Sequence, residues 1–123
     1  MSYPRTLSEG IEEGDYNFTV FLFEVENAAI VLFNENGYMR LGTLAVAMPH
    51  FKGGPSISSA ILGERNVVIT KILAERLSVH FNKIVLVSTH LKEIRENMAR
   101  SALMRLTKRL LDKIKKIDEE SNL

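Results

Sequence analysis

The residues that could do chemistry in this chain are His50, His80 and His90, the serines Ser56, Ser58 and Ser59, the adjacent acids Glu12 and Glu13, and the glycines of two turns. A metal site built from histidine needs ligands at a fixed spacing, such as i and i+4 on one helix, and no pair of these histidines has it. They read as exposed or capping residues. A serine nucleophile needs a strained strand–turn–helix elbow, and Ser56, Ser58 and Ser59 lie in no such context. Gly37 and Gly42 are five residues apart, but no Lys-Ser or Lys-Thr follows them; Gly53-Gly54-Pro55 does not open a helix. Neither turn is a phosphate cradle. Glu12 and Glu13 fall in a polar N-terminal stretch that would not hold them as an acid/base pair. The chain has no cysteine. That excludes a disulfide framework, a thiolate zinc site, an iron–sulfur cluster and a cysteine nucleophile, and fits a cytoplasmic protein. No catalytic residue, metal ligand or cofactor site is expected, and the chain is not expected to be an enzyme.

Charge offers a second kind of chemistry. Residues 1–61 carry three bases against seven acids, and residues 62–123 carry thirteen bases against eight, which together give the net +1. Between Leu91 and Ile117 nine bases stand against three acids. A basic helix face can track phosphates or an acidic protein surface, which makes a nucleic-acid-binding or scaffold dimer the alternative function. The same bases also describe the solvated side of an amphipathic helix. No aromatic residue lies among them, which weakens the case for single-stranded nucleic acid.

The elements that would position these residues follow from hydrophobic period. The chain of 123 residues is one domain's worth, with 46% apolar and 25% charged residues, an ordinary globular composition. No apolar run is long enough to span a membrane, and Tyr3-Pro4-Arg5 followed by acids is not a secretory signal. Residues 1–14 read as a flexible polar arm, 17–117 as an α/β core and 118–123 as a polar tail. Phe18–Val25 and Ala28–Phe33 are aromatic and β-branched, separated by Glu26-Asn27, which suits a two-residue hairpin. Asn34-Glu35-Asn36-Gly37 is a second turn. A third strand is expected over Tyr38–Met48 and a fourth over Ile57–Leu62, forming a meander. After Gly63 the period becomes helical, with Asn66 as N-cap. Lys83–Thr89 is a strand-length apolar run. Leu91–Ile117 then repeats apolar residues every three or four positions. The fold class is α/β of the α+β type: a mostly antiparallel sheet of five to six strands with two helices packed on it.

Alternate residues of a strand point to opposite faces, so a sheet with one wet face should show one polar set. Here neither set is polar. Phe18, Val20 and Leu22 oppose Phe21, Phe23 and Val25; Ile30 and Leu32 oppose Val31 and Phe33; Leu44, Val46 and Met48 oppose Met39, Leu41 and Ala45. Two helices can cover both faces of a three-layer monomer, or both can cover one face and leave the other to a second chain. The second arrangement is a sheet-mediated homodimer, with Phe21, Phe23, Val31, Phe33, Leu44 and Val46 as its candidate interface. About 800 Å² per partner, at about 25 cal/mol per Å², is ample gross driving force.

Several segments in this order are similar to one known family. They are Leu44-Ala45-Val46-Ala47-Met48, then Ser58-Ser59-Ala60-Ile61-Leu62-Gly63-Glu64, then Leu73-Ala74-Glu75-Arg76-Leu77, and then Asn82-Lys83-Ile84-Val85-Leu86-Val87-Ser88. Over roughly residues 17–112 the chain resembles the proteasome-assembly chaperones, most nearly the fourth type and more weakly the third. The resemblance implies a non-enzymatic chaperone that dimerises sheet to sheet and binds proteasome α subunits during α-ring assembly. One chain resembling both types implies a homomeric version, of the kind expected in an archaeon, with pairing of dimers into tetramers left open. The loop Pro49–Pro55 matches a family loop implicated in α-subunit contacts, so His50, Phe51, Lys52, Gly53 and Gly54 become the candidate partner-binding loop. The chain ends Ser121-Asn122-Leu123 without a penultimate tyrosine, so the C-terminal docking signature of other assembly factors is absent and a folded surface is expected to do the binding.

Overall fold

The computed structural model describes residues 3–50, 52–92 and 96–121. Six strands and two helices follow one another as β1 (Arg5–Glu13), β2 (Tyr16–Glu24), β3 (Ala28–Glu35), β4 (Thr43–Met48), β5 (Ile57–Leu62), α1 (Val67–Phe81), β6 (Ile84–His90) and α2 (Glu96–Ser121). The strands make one sheet in the order β1-β2-β3-β6-β4-β5. Four of its pairings are antiparallel, and β3 with β6 is parallel. This is the α+β class expected, with two changes of topology.

The first four strands are not a meander. β6 inserts between β3 and β4, because α1 packs across β4 and β6 and returns the chain into the middle of the sheet. The N-terminal residues are not a flexible arm either. Arg5–Glu13 pairs along its whole length with β2, and Leu7 and Ile11 pack against the core. Two smaller boundaries also move. The third strand begins at Thr43, not Tyr38, and the residues expected as a polar tail continue α2 to Ser121.

A two-residue turn at Glu26-Asn27, closed by a bond of 2.9 Å from the Val25 N–H to the Ala28 carbonyl, sets the register of β2 and β3. From that turn outward, Leu22 lies opposite Val31 and Val20 opposite Phe33. Residues directly opposite in an antiparallel pair share a face. These four are wholly buried, together with Phe18, Ala45, Ala47, Val85 and Val87. Ile69, Leu73 and Leu77 of α1 and Leu103, Leu106 and Leu110 of α2 complete the same core cluster. Both helices therefore lie on one side of the sheet, and the domain has two layers.

Helix α1 starts without the expected side-chain cap. Asn66 takes a left-handed conformation (φ 61°), and its carbonyl accepts from the Thr70 N–H at 3.1 Å and the Thr70 hydroxyl at 2.6 Å. That second bond gives the β-branched first turn a local partner. Asn82 ends the helix in the same left-handed region, which asparagine tolerates better than most residues.

Candidate functional site

The side of the sheet away from the helices is covered by no element. Its exposed row begins with Phe21 and Phe23 on β2 and continues through Ile30 and Leu32 on β3, Ile84 and Leu86 on β6, and Leu44, Val46 and Met48 on β4. The register makes these neighbours: Phe23 lies opposite Ile30, Ile30 beside Leu86, Leu86 opposite Val46 and Met48 opposite Ile57. Phe23 is 37% exposed, Ile30 38%, Met48 43% and Ile57 64%. Across the open-facing positions of β2, β3, β6 and β4 there is no Asp, Glu, Lys or Arg. On β1 the same face carries Thr6, Ser8, Gly10 and Glu12, so the apolar area ends in a polar margin.

A second margin is built by residues 38–42, which cross one end of this face. The Arg40 N–H donates to Asn34 Oδ1 at 3.0 Å, and the Gly42 N–H donates to Ser88 Oγ at 2.8 Å. Tyr38 stands edge-on to His90 with ring centres 5.8 Å apart, and the Arg40 guanidinium lies 4.8 Å from its centroid. This crossing is why two of the polar residues at this end of the face, Asn34 and Ser88, are buried. Gly42 is required there, since any Cβ would collide with the Thr89 carbonyl.

At the other end the chain leaves β4 through the loop expected to bind a partner. The Gly53 N–H donates to the His50 carbonyl at 3.1 Å, and Gly53 sits at φ 80°. His50 and Lys52, with Val46, Met48, Pro49, Ile57 and Ser59, line a cleft of about 500 Å³. A second cleft of about 450 Å³ lies across Met48-Pro49-His50, bounded by Asn27, Asn82, Lys83 and Ile84. The start of the loop, Met48-Pro49-His50, thus lies between two clefts at the rim of the open face. Phe51 lies outside the described residues.

Of the residues expected at an interface, Phe21, Phe23, Leu44 and Val46 are on the open face, and Val46 also borders the loop. Val31 and Phe33 are not. They point at the helices and are 0% exposed, because the hairpin register puts odd-numbered residues of β3 beside even-numbered residues of β2. Their places on the open face are taken by Ile30 and Leu32. Ile84, Leu86, Met48 and Ile57 complete it.

The charge asymmetry resolves into two local arrangements. On the outside, Arg105 of α2 pairs with Glu13 of β1, Arg109 reaches the Gly10 carbonyl at 3.3 Å, and Lys113 reaches the Ser8 carbonyl at 3.1 Å and Glu9 at 3.9 Å. The acidic first strand and the basic last helix are thus partners. On the inside, the Glu24 carboxylate is 2% exposed and accepts from Arg5 Nε at 3.0 Å and Lys83 Nζ at 2.8 Å; Arg5 also pairs with Asp118 at 3.0 Å. Burial alone would lower the Lys83 pKa, but the hydrogen bond to Glu24 and its charge outweigh burial and hold it above the ordinary value. The same balance raises Arg5.

Among the described residues no group of three His, Asp or Glu could hold a metal ion, and no helix is long and apolar enough to cross a membrane. What the geometry offers is an uncharged surface with a loop ridge at its rim, which suits contact with another protein. No protein-family model and no curated protein matches the chain. Among solved structures, a chain from a crystal structure of a chaperone complex for yeast 20S proteasome assembly has a similar fold. The TM-score is 0.69 at 16% identity, over 91% of this chain and 95% of that one.

Proposed function

We propose that this chain is a non-enzymatic, cytoplasmic proteasome-assembly chaperone that works as a homodimer and binds proteasome α subunits. The observation that carries the reading is the uncovered, uncharged face of β2, β3, β6 and β4. A single-layered apolar face of this extent is a protein interface, and a face without charge is complementary to its own copy. Two copies stacked on it leave α1 and α2 on the outside and the two His50–Gly54 loops at the rim. The fold likeness to a chain of the yeast chaperone complex supports a chaperone role.

In this mechanism the dimer presents the 50–54 loops to an α subunit as a temporary complementary surface, and release follows once neighbouring subunits compete for it. Titration of the isotope-labelled protein with purified proteasome α subunits tests the reading. Backbone shifts are expected at His50, Lys52, Gly53 and Gly54 and along the clefts beside them. No shift anywhere at high micromolar α subunit would sink the proposal.

A further inference from the structure

The two edges of the sheet are treated differently. On the β1 edge the strand carries Glu9, Glu12 and Glu13, and Arg109 and Lys113 of α2 bond its main-chain carbonyls. Charges and covering side chains of this kind keep a free edge from pairing. The β5 strand itself carries no charge, and the charged side chain that reaches it, Glu75 of α1, accepts from the Ser58 hydroxyl at 2.6 Å on the helix side and leaves the main chain of the edge uncovered. Ile57–Leu62 contains no charge, no Gly and no Pro. Ile57 is 64% exposed, Ile61 51% and Leu62 50%. Its one irregularity is a bulge at Ile61, left without a partner between the Leu44–Leu62 and Ala45–Ala60 pairs, so the regular part of the edge runs from Ile57 to Ala60 and Ile61 closes it.

The sequence of this edge indicates what would fit it. Ile57-Ser58-Ser59-Ala60-Ile61 reads nearly the same from either end about Ser59. Antiparallel pairing of two copies about a two-fold axis at Ser59 sets Ile57 opposite Ile61, Ser58 opposite Ala60 and Ser59 opposite itself. Large residues then meet large and small meet small, and no like charges meet. Ser58 and Ala60 lie opposite Ala47 and Ala45 on the helix side of the sheet, so the faces of the two sheets coincide across the join. We propose that β5 is a self-pairing edge: two copies join antiparallel through Ile57–Ile61 and extend the six-stranded sheet into one continuous sheet of twice that width. This contact is distinct from stacking on the open face and does not rest on the proteasome reading.

Because the chain has no cysteine, single introduced cysteines report the join cleanly. Ser58→Cys and Ala60→Cys both lie on the helix side, turned away from any partner stacked on the open face. Oxidised as an equimolar mixture, with one variant tagged, they should form the mixed disulfide about tenfold faster than either variant alone, since only opposed positions come within disulfide reach. Because Ile57 also borders the open face, the control is run with Phe23→Asp in both variants: the acceleration should persist there, and adding Ile57→Lys and Ile61→Lys should abolish it, with circular dichroism confirming that each variant is folded. A second arm uses sedimentation of Phe23→Asp, in which open-face stacking is blocked. That variant should still associate at high micromolar concentration, and should lose the association when Ile57→Lys and Ile61→Lys are added. A mixture that cross-links no faster than its separate components, or a Phe23→Asp protein that stays monomeric, overturns the proposal.

Discussion

At the scale of single residues, the most constrained position is Glu24. A carboxylate this deeply buried is tolerable only with its charge met, and Arg5 and Lys83 meet it from opposite sides. The cluster ties the first strand, the start of β6 and, through Asp118, the end of α2. Lys83→Met removes one partner from a carboxylate that stays buried and should cost about 2–3 kcal/mol in urea unfolding. Adding Glu24→Gln should restore part of the loss, because the buried charge goes with it. The effect also has a pH signature. The folded pKa of Lys83 lies above the ordinary 10.5, so its contribution is complete below 10.5 and disappears as pH rises through the folded value. The stability gap between wild type and Lys83→Met should therefore be constant through neutral pH and narrow only in strong alkali. Gly42 is constrained differently, by space. Gly42→Ala forces the 38–42 segment off the Thr89 carbonyl and should lower stability by about 1–3 kcal/mol, with the loosening seen as faster amide exchange at Arg40 and Gly42.

At the scale of elements, the two aromatic side chains Phe23 and Phe33 separate folding from association. Phe33 is sealed under the helices, so Phe33→Ala should cost about 3–5 kcal/mol of stability. Phe23 stands on the open face, so Phe23→Asp should leave the circular dichroism spectrum intact while weakening association through that face. The uncharged character of this face was legible from the sequence, because neither set of alternating residues in the strands was polar. Its correct membership was legible too, though only by counting outward from the Glu26-Asn27 turn, where residue numbers of opposed partners add to an odd total. Other elements left no local trace. The insertion of β6 between β3 and β4 depends on a parallel pairing more than fifty residues apart in sequence, which no pattern in either strand encodes. The strand β1 looks like a loose arm because an edge strand needs little apolar surface; only Leu7 and Ile11 face the core, and its acids answer the arginines of a helix about a hundred residues away. The apolar Tyr38, Met39 and Leu41 imitate a strand, but they belong to a segment that crosses the sheet and is held by Asn34 and Ser88. The position of Met48-Pro49-His50 between two clefts was likewise hidden, since it depends on where β5 and the start of β6 bring their side chains.

At the scale of the molecule, the near-zero net charge conceals a polarised sequence whose fold sets part of its basic helix against its acidic first strand. Arg105, Arg109 and Lys113 are turned toward β1, which reduces the free basic face available to phosphates. A gel-shift assay at low salt is accordingly expected to show no retardation of nucleic acid. What the single chain leaves open is apolar: beyond the end crossed by residues 38–42, one side of a two-layer domain has no cover, so the monomer leaves surface in water that a stacked pair would remove. Sedimentation should give at least twice the 13.9 kDa chain mass. Mass action makes a sharper demand, because a dimer that unfolds to separate chains is stabilised by its own concentration. The thermal midpoint of the wild type should rise steadily as protein concentration is raised. In a protein carrying Phe23→Asp together with Ile57→Lys and Ile61→Lys, both self-contacts are blocked and the midpoint should be independent of concentration. A wild-type midpoint equally flat, with a sedimentation mass of one chain, would mean that the open face is stable in water without a partner.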